Sequence, residues 1–194
     1  ALIEIALVLV CTSLLFVSVA KGSELIHNAQ SKRVAREIEE HRGEFLAYLN
    51  RYDAMPGDDP RASLRWPGAK NGNGDQQISG IYSDVPPTSA SALHVSAGTG
   101  ENLNYWWHLR AAGLLQDGAL NLASTADSAV GCTVTVQQSA NGMRGPAVCY
   151  HPISGRLAAA IDRERDDGFA NTGSIRASAD PNTIPTANYD DAEN

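Results

Sequence analysis

The sequence is short of basic residues and of cysteine, and each shortage removes a class of function from the expectations. Its 194 residues include 15 Lys and Arg against 22 Asp and Glu, a formal net charge of −7. A general nucleic-acid binder needs a basic surface that neutralises phosphates. The three cysteines form no Cys-x-x-Cys motif and no cluster with histidine, as a structural zinc site would require. General nucleic-acid binding and zinc-dependent folding are therefore not expected.

Catalytic motifs are also missing from the sequence. The histidines are scattered, and no serine elbow, metal-ligand spacing or phosphate-binding loop accompanies them. They are His27, His41, His94, His108 and His151. We therefore expect no enzymatic activity and no cofactor.

Asp, Glu, Lys, Arg and His are absent from positions 5–20, and Glu4 stands at the head of this apolar run. A carboxylate near the end of a membrane-length segment is costly unless a partner offsets it, or unless it snorkels from the helix end to the headgroups. The run fits a secretory signal peptide, a simple transmembrane anchor, or a helix that leaves the membrane to form the core of an assembly. A signal peptide would begin with basic residues, and no Lys or Arg precedes this run.

Helix-compatible sequence resumes directly after the apolar run. No proline occurs before Pro56, and apolar residues recur at helical spacing. This pattern predicts one helix of roughly 80 Å over residues 1–53, apolar in segment 1–22 and amphipathic in segment 23–54. Gly22 is its predicted weak point, because glycine is about 1 kcal/mol less favourable than alanine in a helix. The amphipathic stripe consists of Val34, Ile38, Phe45, Leu49 and Tyr52.

Residues 55–194 predict a globular head. Alternation over 132–136 and a second strand at 145–150 indicate an antiparallel hairpin. Helices are predicted over 101–115 and 156–165, with one of the adjacent Trp106 and Trp107 in the core. The tail from Ser178 predicts an extended surface segment. The expected fold class is α+β, with the long helix packed on a small antiparallel sheet accompanied by loops and a short helix.

Two cysteines, Cys132 and Cys149, lie seventeen residues apart around the predicted hairpin. In a chain that begins like a membrane or export segment, this pair predicts a disulfide formed in an oxidising compartment. Closing the loop would stabilise the fold by roughly 3 kcal/mol. The alternative is two free buried thiols. Cys11 is interpreted as a small apolar residue of a helix-packing face.

Asn71, Asn73 and Asp75 alternate as oxygen ligands do in the first half of a calcium loop. Gln76 stands where the EF-hand glycine would be, and Tyr82 where its bidentate glutamate would be. The pattern therefore favours a glycine-rich turn, and these three residues remain only weak metal candidates.

The chain resembles the type IV pilin superfamily, which includes major and minor pilins and the pseudopilins of type II secretion. The resemblance begins with the run LIEIALVLV at residues 2–10, which is similar to the processed N-terminus of that family. It continues with PGD at 56–58, NGNGD at 71–75, Glu101 followed by WWHL at 106–109, AAGL at 111–114, DDG at 166–168 and TG at 172–173. In these families the glutamate is the fifth residue of the mature chain, so one methylated residue is expected to precede Ala1.

This resemblance implies a pilin fold and a role for Glu4 in filament register, in which its carboxylate pairs with the N-terminal amine of a neighbouring subunit. Gly22 replaces a proline usual near this position. The implied core-packing residues of the filament are Leu2, Ile3, Ile5, Leu7, Val8, Leu9 and Val10.

The resemblance also implies partners and a location. The partners are identical subunits, a prepilin peptidase and pilus assembly machinery. The chain would lie in the inner membrane before assembly and in an extracellular filament afterwards, serving adhesion, motility or DNA uptake. The alternatives are a minor pilin or type II secretion pseudopilin, and a membrane-anchored adhesion or binding protein that never polymerises.

Overall fold

The structure is a computed structural model that describes residues 2–80, 100–115, 126–178, 184–185 and 188–189, without the side chains of residues 2, 15–20 and 127. It has an α+β fold. Its elements, in chain order, are α1 (Leu2–Tyr52), α2 (Ala62–Arg65), α3 (Glu101–Ala111), β1 (Ala126–Asp127), β2 (Thr133–Gln138), a 3-10 turn (Ala140–Gly142), β3 (Pro146–His151) and α4 (Gly155–Arg165).

Helix α1 is one element of 51 residues, about 77 Å long at the usual helical rise, and it continues through Gly22. Its amphipathic half turns one side to the head, where Val34, Ala35 and Tyr48 are buried. Val34 belongs to the stripe that the sequence predicts. Tyr48 is fully buried and was missing from that stripe, although its spacing from Phe45 fits the same helical face.

The sheet is antiparallel, in the order β1–β2–β3. β2 and β3 form the predicted hairpin, in which Val134 lies opposite Tyr150 and Val136 opposite Val148. β1 adds only two residues. Within the described part of the chain, β3 pairs only with β2 and so forms one edge of the sheet.

The main core joins α1, α3 and the sheet. Trp106 and Leu109 of α3 are fully buried in one cluster with Tyr48, Val134 and Val136. Helix α1 packs chiefly against α4, and α3 packs on β2, so the long helix rests less directly on the sheet than the sequence predicts. Trp106 of α3 is fully buried and its neighbour Trp107 is half-buried, in agreement with the prediction that only one of the pair is in the core.

The predicted Cys132–Cys149 disulfide is wrong for this structure, in which both thiols are free. Cys149 lies opposite Thr135 in the hairpin, three positions along β2 from Cys132. Three residues of strand span about 10 Å and an odd offset reverses the face, whereas a disulfide needs Cα atoms within about 7 Å. The Cys132 thiol instead donates to the Pro152 carbonyl at 2.8 Å.

We therefore expect all three cysteines to react as thiols. The unreduced chain, unfolded in guanidinium with iodoacetamide, should gain three carbamidomethyl groups by intact mass, the number of cysteines present. Burial raises the pKa of the Cys149 thiol to about 11, so its labelling in the folded chain should lag behind that of exposed Cys11. A gain of only one carbamidomethyl group without reductant would show that two of the cysteines are joined in a disulfide, as the sequence predicts.

Candidate functional site

The largest exposed apolar surface in the described part of the chain is the first third of α1. The exposed fraction of its large side chains runs from 57% at Val8 to 81% at Ile3. Such a surface on a soluble domain usually marks an interaction site. The exposed residues are Ile3, Ile5, Leu7, Val8, Leu9, Val10 and Leu14.

The free energy available from covering this surface is large. Fully burying one Leu, Ile or Val side chain is worth about 1.5–3 kcal/mol, so covering the seven would be worth on the order of 10 kcal/mol. All seven belong to one continuous helix that continues into the head. The exposed apolar surface therefore lies on a single helix whose second half is packed in the head.

Glu4 lies within this exposed stretch, in the first turn of α1. A carboxylate there interacts favourably with the partial positive charge of the helix N-terminus. Predicted packing residues from Ile3 to Val10 share the same stretch, while the side chain of Leu2 lies outside the described residues. Within the described residues, no helix reaches the combined length and apolarity of a membrane-crossing segment.

A buried polar group fixes the C-terminal end of α1 to the loop that follows it. The hydroxyl of Tyr48 donates to Asp59 Oδ2 at 2.7 Å, and Arg65 forms an ion pair with the same oxygen. Burial raises the pKa of the Asp59 carboxyl, but hydrogen bonds from the Arg61 N–H, Tyr48 and Arg65 outweigh it and leave that pKa lowered. The Arg65 guanidinium also lies 4.6 Å from the ring centre of Tyr52.

His108 joins α3 to the same loop. Its Nδ1 accepts from the Gly57 N–H at 2.8 Å, so Nε2 carries the proton and donates to the Lys70 carbonyl at 2.8 Å. The side chain is fully buried, and burial lowers its pKa against the opposing effect of the Lys70 carbonyl. The neutral ring is thus a two-ended link, which the sequence does not reveal.

Buried carboxylates organise the glycine-rich loop. Asp58 and Glu101 are both buried, and their oxygens accept N–H groups of residues 73–79. Burial raises the pKa of Asp58, although its N–H partners partly offset this. The donors are Gly74 and Gln76 to Asp58, and Asn73 and Ser79 to Glu101.

The weak metal candidates are separated by this arrangement. Asn71 Oδ1 accepts from the Ser63 N–H, and Asn73 Oδ1 accepts from the Asp75 N–H. Only Asp75 joins a group of three carboxylates, with Asp58 and Glu101. These oxygens serve as acceptors for backbone N–H groups, which favours the glycine-rich turn over a calcium loop.

Further carboxylates tie the remaining segments to the helices. Glu37 of α1 accepts from the Ser128 hydroxyl at 2.5 Å and the Ala129 N–H at 2.9 Å. Asp162 of α4 is fully buried and accepts from the Gly168 N–H and the Tyr189 hydroxyl. The DDG segment at 166–168 is thus part of a hydrogen-bonded turn.

Protein-family models, curated proteins and solved structures gave no match to this chain. The functional inference therefore depends on the geometry: an exposed apolar helix, a carboxylate in its first turn, and a head fastened to its other end. The sequence motifs around PGD and AGL lie where the head is hydrogen-bonded to the end of α1, near Asp58 and His108.

Gly72 should not tolerate a side chain. A Cβ there would lie 2.2 Å from the Asp58 Cα and 2.6 Å from the Gly57 oxygen, both backbone atoms. Gly72→Ala should lower the free energy of unfolding by about 2–4 kcal/mol, measured by urea unfolding with tryptophan fluorescence. Gly43→Ala is the matched control: its Cβ would meet no atom within 4 Å, and we expect about 1 kcal/mol of stabilisation. Equal stability of the two variants would contradict this packing.

His108 should make the fold sensitive to acid. Because its pKa is lowered in the folded state, the unfolded chain binds the proton first as pH falls below about 6.5, and unfolding becomes easier. The stability that neutral His108 contributes is fully present above the pKa of this side chain in the unfolded state. As the pH falls below that value, this stability is lost by at most about 1.4 kcal/mol per pH unit. The neutral variant His108→Asn keeps an acceptor for Gly57 and should flatten the urea-unfolding profile between pH 7.5 and 5.5.

The exposed His151 provides the control for that profile. His151→Asn makes the same substitution at an exposed position, and carboxylate contributions are common to all three chains. A wild-type slope in His108→Asn would show that another group carries the effect.

Proposed function

We propose that this chain is a structural subunit of a type IV pilus-like filament, polymerised through its N-terminal helix. The observation that carries the proposal is the single helix α1, whose first third is apolar and exposed while its second half is part of the head core. Such a subunit offers one surface for assembly and another for display. The sequence resemblance at residues 2–10 supports the same function.

Assembly follows from the physics of the exposed helix. A second copy can cover the apolar stretch with its own, and contacts of this kind that do not close into a ring generate helical filaments. Apolar packing alone leaves the axial position of the helices loosely defined. A charged group that requires one partner favours one register over the others.

Glu4 supplies that group in the proposed filament. Its partner is the N-terminal amine of a neighbouring subunit, since both ions are costly in an apolar core and pairing offsets much of each penalty. The pair would form only in one alignment of adjacent helices. Removing one partner would leave the other charge buried without compensation.

The proposed life cycle has two stages. The subunit is held in the inner membrane after processing by a prepilin peptidase, and the assembly machinery then extracts it into a filament at the cell surface. The head has a structural and adhesive role, in adhesion, motility or DNA uptake, without catalysis or a cofactor. A minor pilin or a type II secretion pseudopilin would share the helix but would not form abundant fibres.

The test is neutralisation of Glu4. Glu4→Gln keeps the size of the side chain and removes the charge, and it should reduce sheared filaments at least about tenfold, the equivalent of 1.4 kcal/mol in assembly. Filaments are measured by electron microscopy and by immunoblot of sheared fractions. Glu40→Gln, an exposed glutamate on the amphipathic half of the same helix, is the matched control and should assemble normally.

Two outcomes would separate the alternatives. Normal filaments from Glu4→Gln would refute the register role while leaving polymerisation intact. If the wild-type chain formed no fibres and was found only in membrane fractions, this result would favour the alternative of a membrane-anchored protein that never polymerises. The unfolding transition of the head should be the same in all variants, since Glu4 lies far along α1 from the head core.

A further inference from the structure

A groove of about 1090 Å³ lies between the second half of α1, strand β3, α4 and residues 173–178. Among the described strands, β3 is at an edge of the sheet, and Val148 on it is 36% exposed. The apolar wall residues include Val34, Ile38, Phe45, Val148, Ile161 and Ile175.

The groove has a positive rim on a negatively charged protein. Four arginines line it, and Glu39 is the only acidic residue among the described residues of its lining. Glu39 lies 3.7 Å from Arg165, and Asp167 interacts electrostatically with Arg176, so the unbalanced positive charge belongs to the other two arginines. Within the described residues, the side chains of Arg42 and Arg144 have no hydrogen bond or ion pair. The arginines are Arg42, Arg144, Arg165 and Arg176.

The last described residues of the chain flank this groove. Ile184 passes beside Gly142, where an added Cβ would be 2.9 Å from it. Tyr189 lines the groove, is buried, and donates its hydroxyl to Asp162 at 2.7 Å. The predicted extended tail is therefore anchored at two points along one side of the groove. Residues 190–194, which follow Tyr189, lie outside the described part of the chain.

We propose that the acidic segment 190–194 of the same chain docks across this groove and pairs with its arginine rim. The segment carries three carboxylates, Asp190, Asp191 and Glu193, and the rim carries four arginines against one glutamate. Five extended residues reach about 17 Å from Tyr189, which itself lines the groove. Tethering at Tyr189 gives the segment a millimolar effective concentration, which favours docking within one chain.

The acidic residues near Tyr189 that lie outside the groove lining also favour this docking. Asp166 and Asp167 stand at the end of α4 with Asp162, so that side carries negative charge. Asp190 and Asp191 are repelled from it and attracted toward Arg42 and Arg144. The docked segment thus covers the apolar wall of the groove.

Proximity cross-linking in the full chain tests the docking. Val148→Cys in the groove is paired with Ala192→Cys in the segment, with the three native cysteines replaced by serine, and a short bismaleimide is added. We expect an intramolecular cross-link, identified as a linked peptide in a species of monomer mass. The matched control pairs Val148→Cys with Leu64→Cys, which is 82% exposed on α2, outside the groove lining, and should give no such product.

Charge exchange then tests the ion pairs. Arg42→Glu with Arg144→Glu should lower the cross-link yield about fivefold, equivalent to about 1 kcal/mol. Adding Asp190→Lys, Asp191→Lys and Glu193→Lys to that chain should restore the yield, whereas the lysine variant alone should lose it. The rim arginines lie at the surface, so unfolding transitions measured in parallel should be unchanged.

Each remaining outcome overturns the proposal. A cross-linked dimer without the intramolecular product would assign the groove to the segment of a second copy. Absence of cross-link, or yield unaffected by charge exchange, would leave the groove to another occupant. The docking does not depend on polymerisation, so a chain that fails to form filaments can still pass this test.

Discussion

The buried pairing of Tyr48 with Asp59 is the interaction on which the rest of the structure depends. It fixes the end of α1 to the loop that holds Asp58, His108 and Glu101 in place. Buried polar groups of this kind are costly unless every partner is present, so the network favours one arrangement of helix and loop. Because these contacts hold the C-terminal end of α1 in the head, its N-terminal end can remain exposed.

The uncovered end gives the molecule its asymmetry. The head uses one side of α1 from Ser31 onward as core, whereas residues 3–14 are exposed. In the proposed filament, the exposed apolar stretch of α1 packs against that of other subunits, and the Glu4 carboxylate favours one register. The proposed assembly and the folding of the head therefore depend on different residues.

Much of the fold is predictable from local pattern. The helical spacing from Val34 to Tyr52 and the strand alternation around Val134 specify α1 and the hairpin, because each period reports one local geometry. The disulfide prediction was wrong because sequence separation does not reveal register: Cys149 faces Thr135 rather than Cys132. The head links were also missed, since His108 reaches Gly57 and Lys70 across 51 and 38 residues.

The sequence by itself determined the long helix, its apolar first third and the position of Glu4, since these follow from composition and period along one segment. Only the tertiary structure decided which side of α1 is covered, that Asp58 and Glu101 close a loop, and that four arginines share one groove with the anchored Tyr189. The physical reason is that hydrogen-bond and charge partners are chosen by proximity in space. Residues far apart in the chain, such as Tyr48 and Trp106, meet only in the folded head.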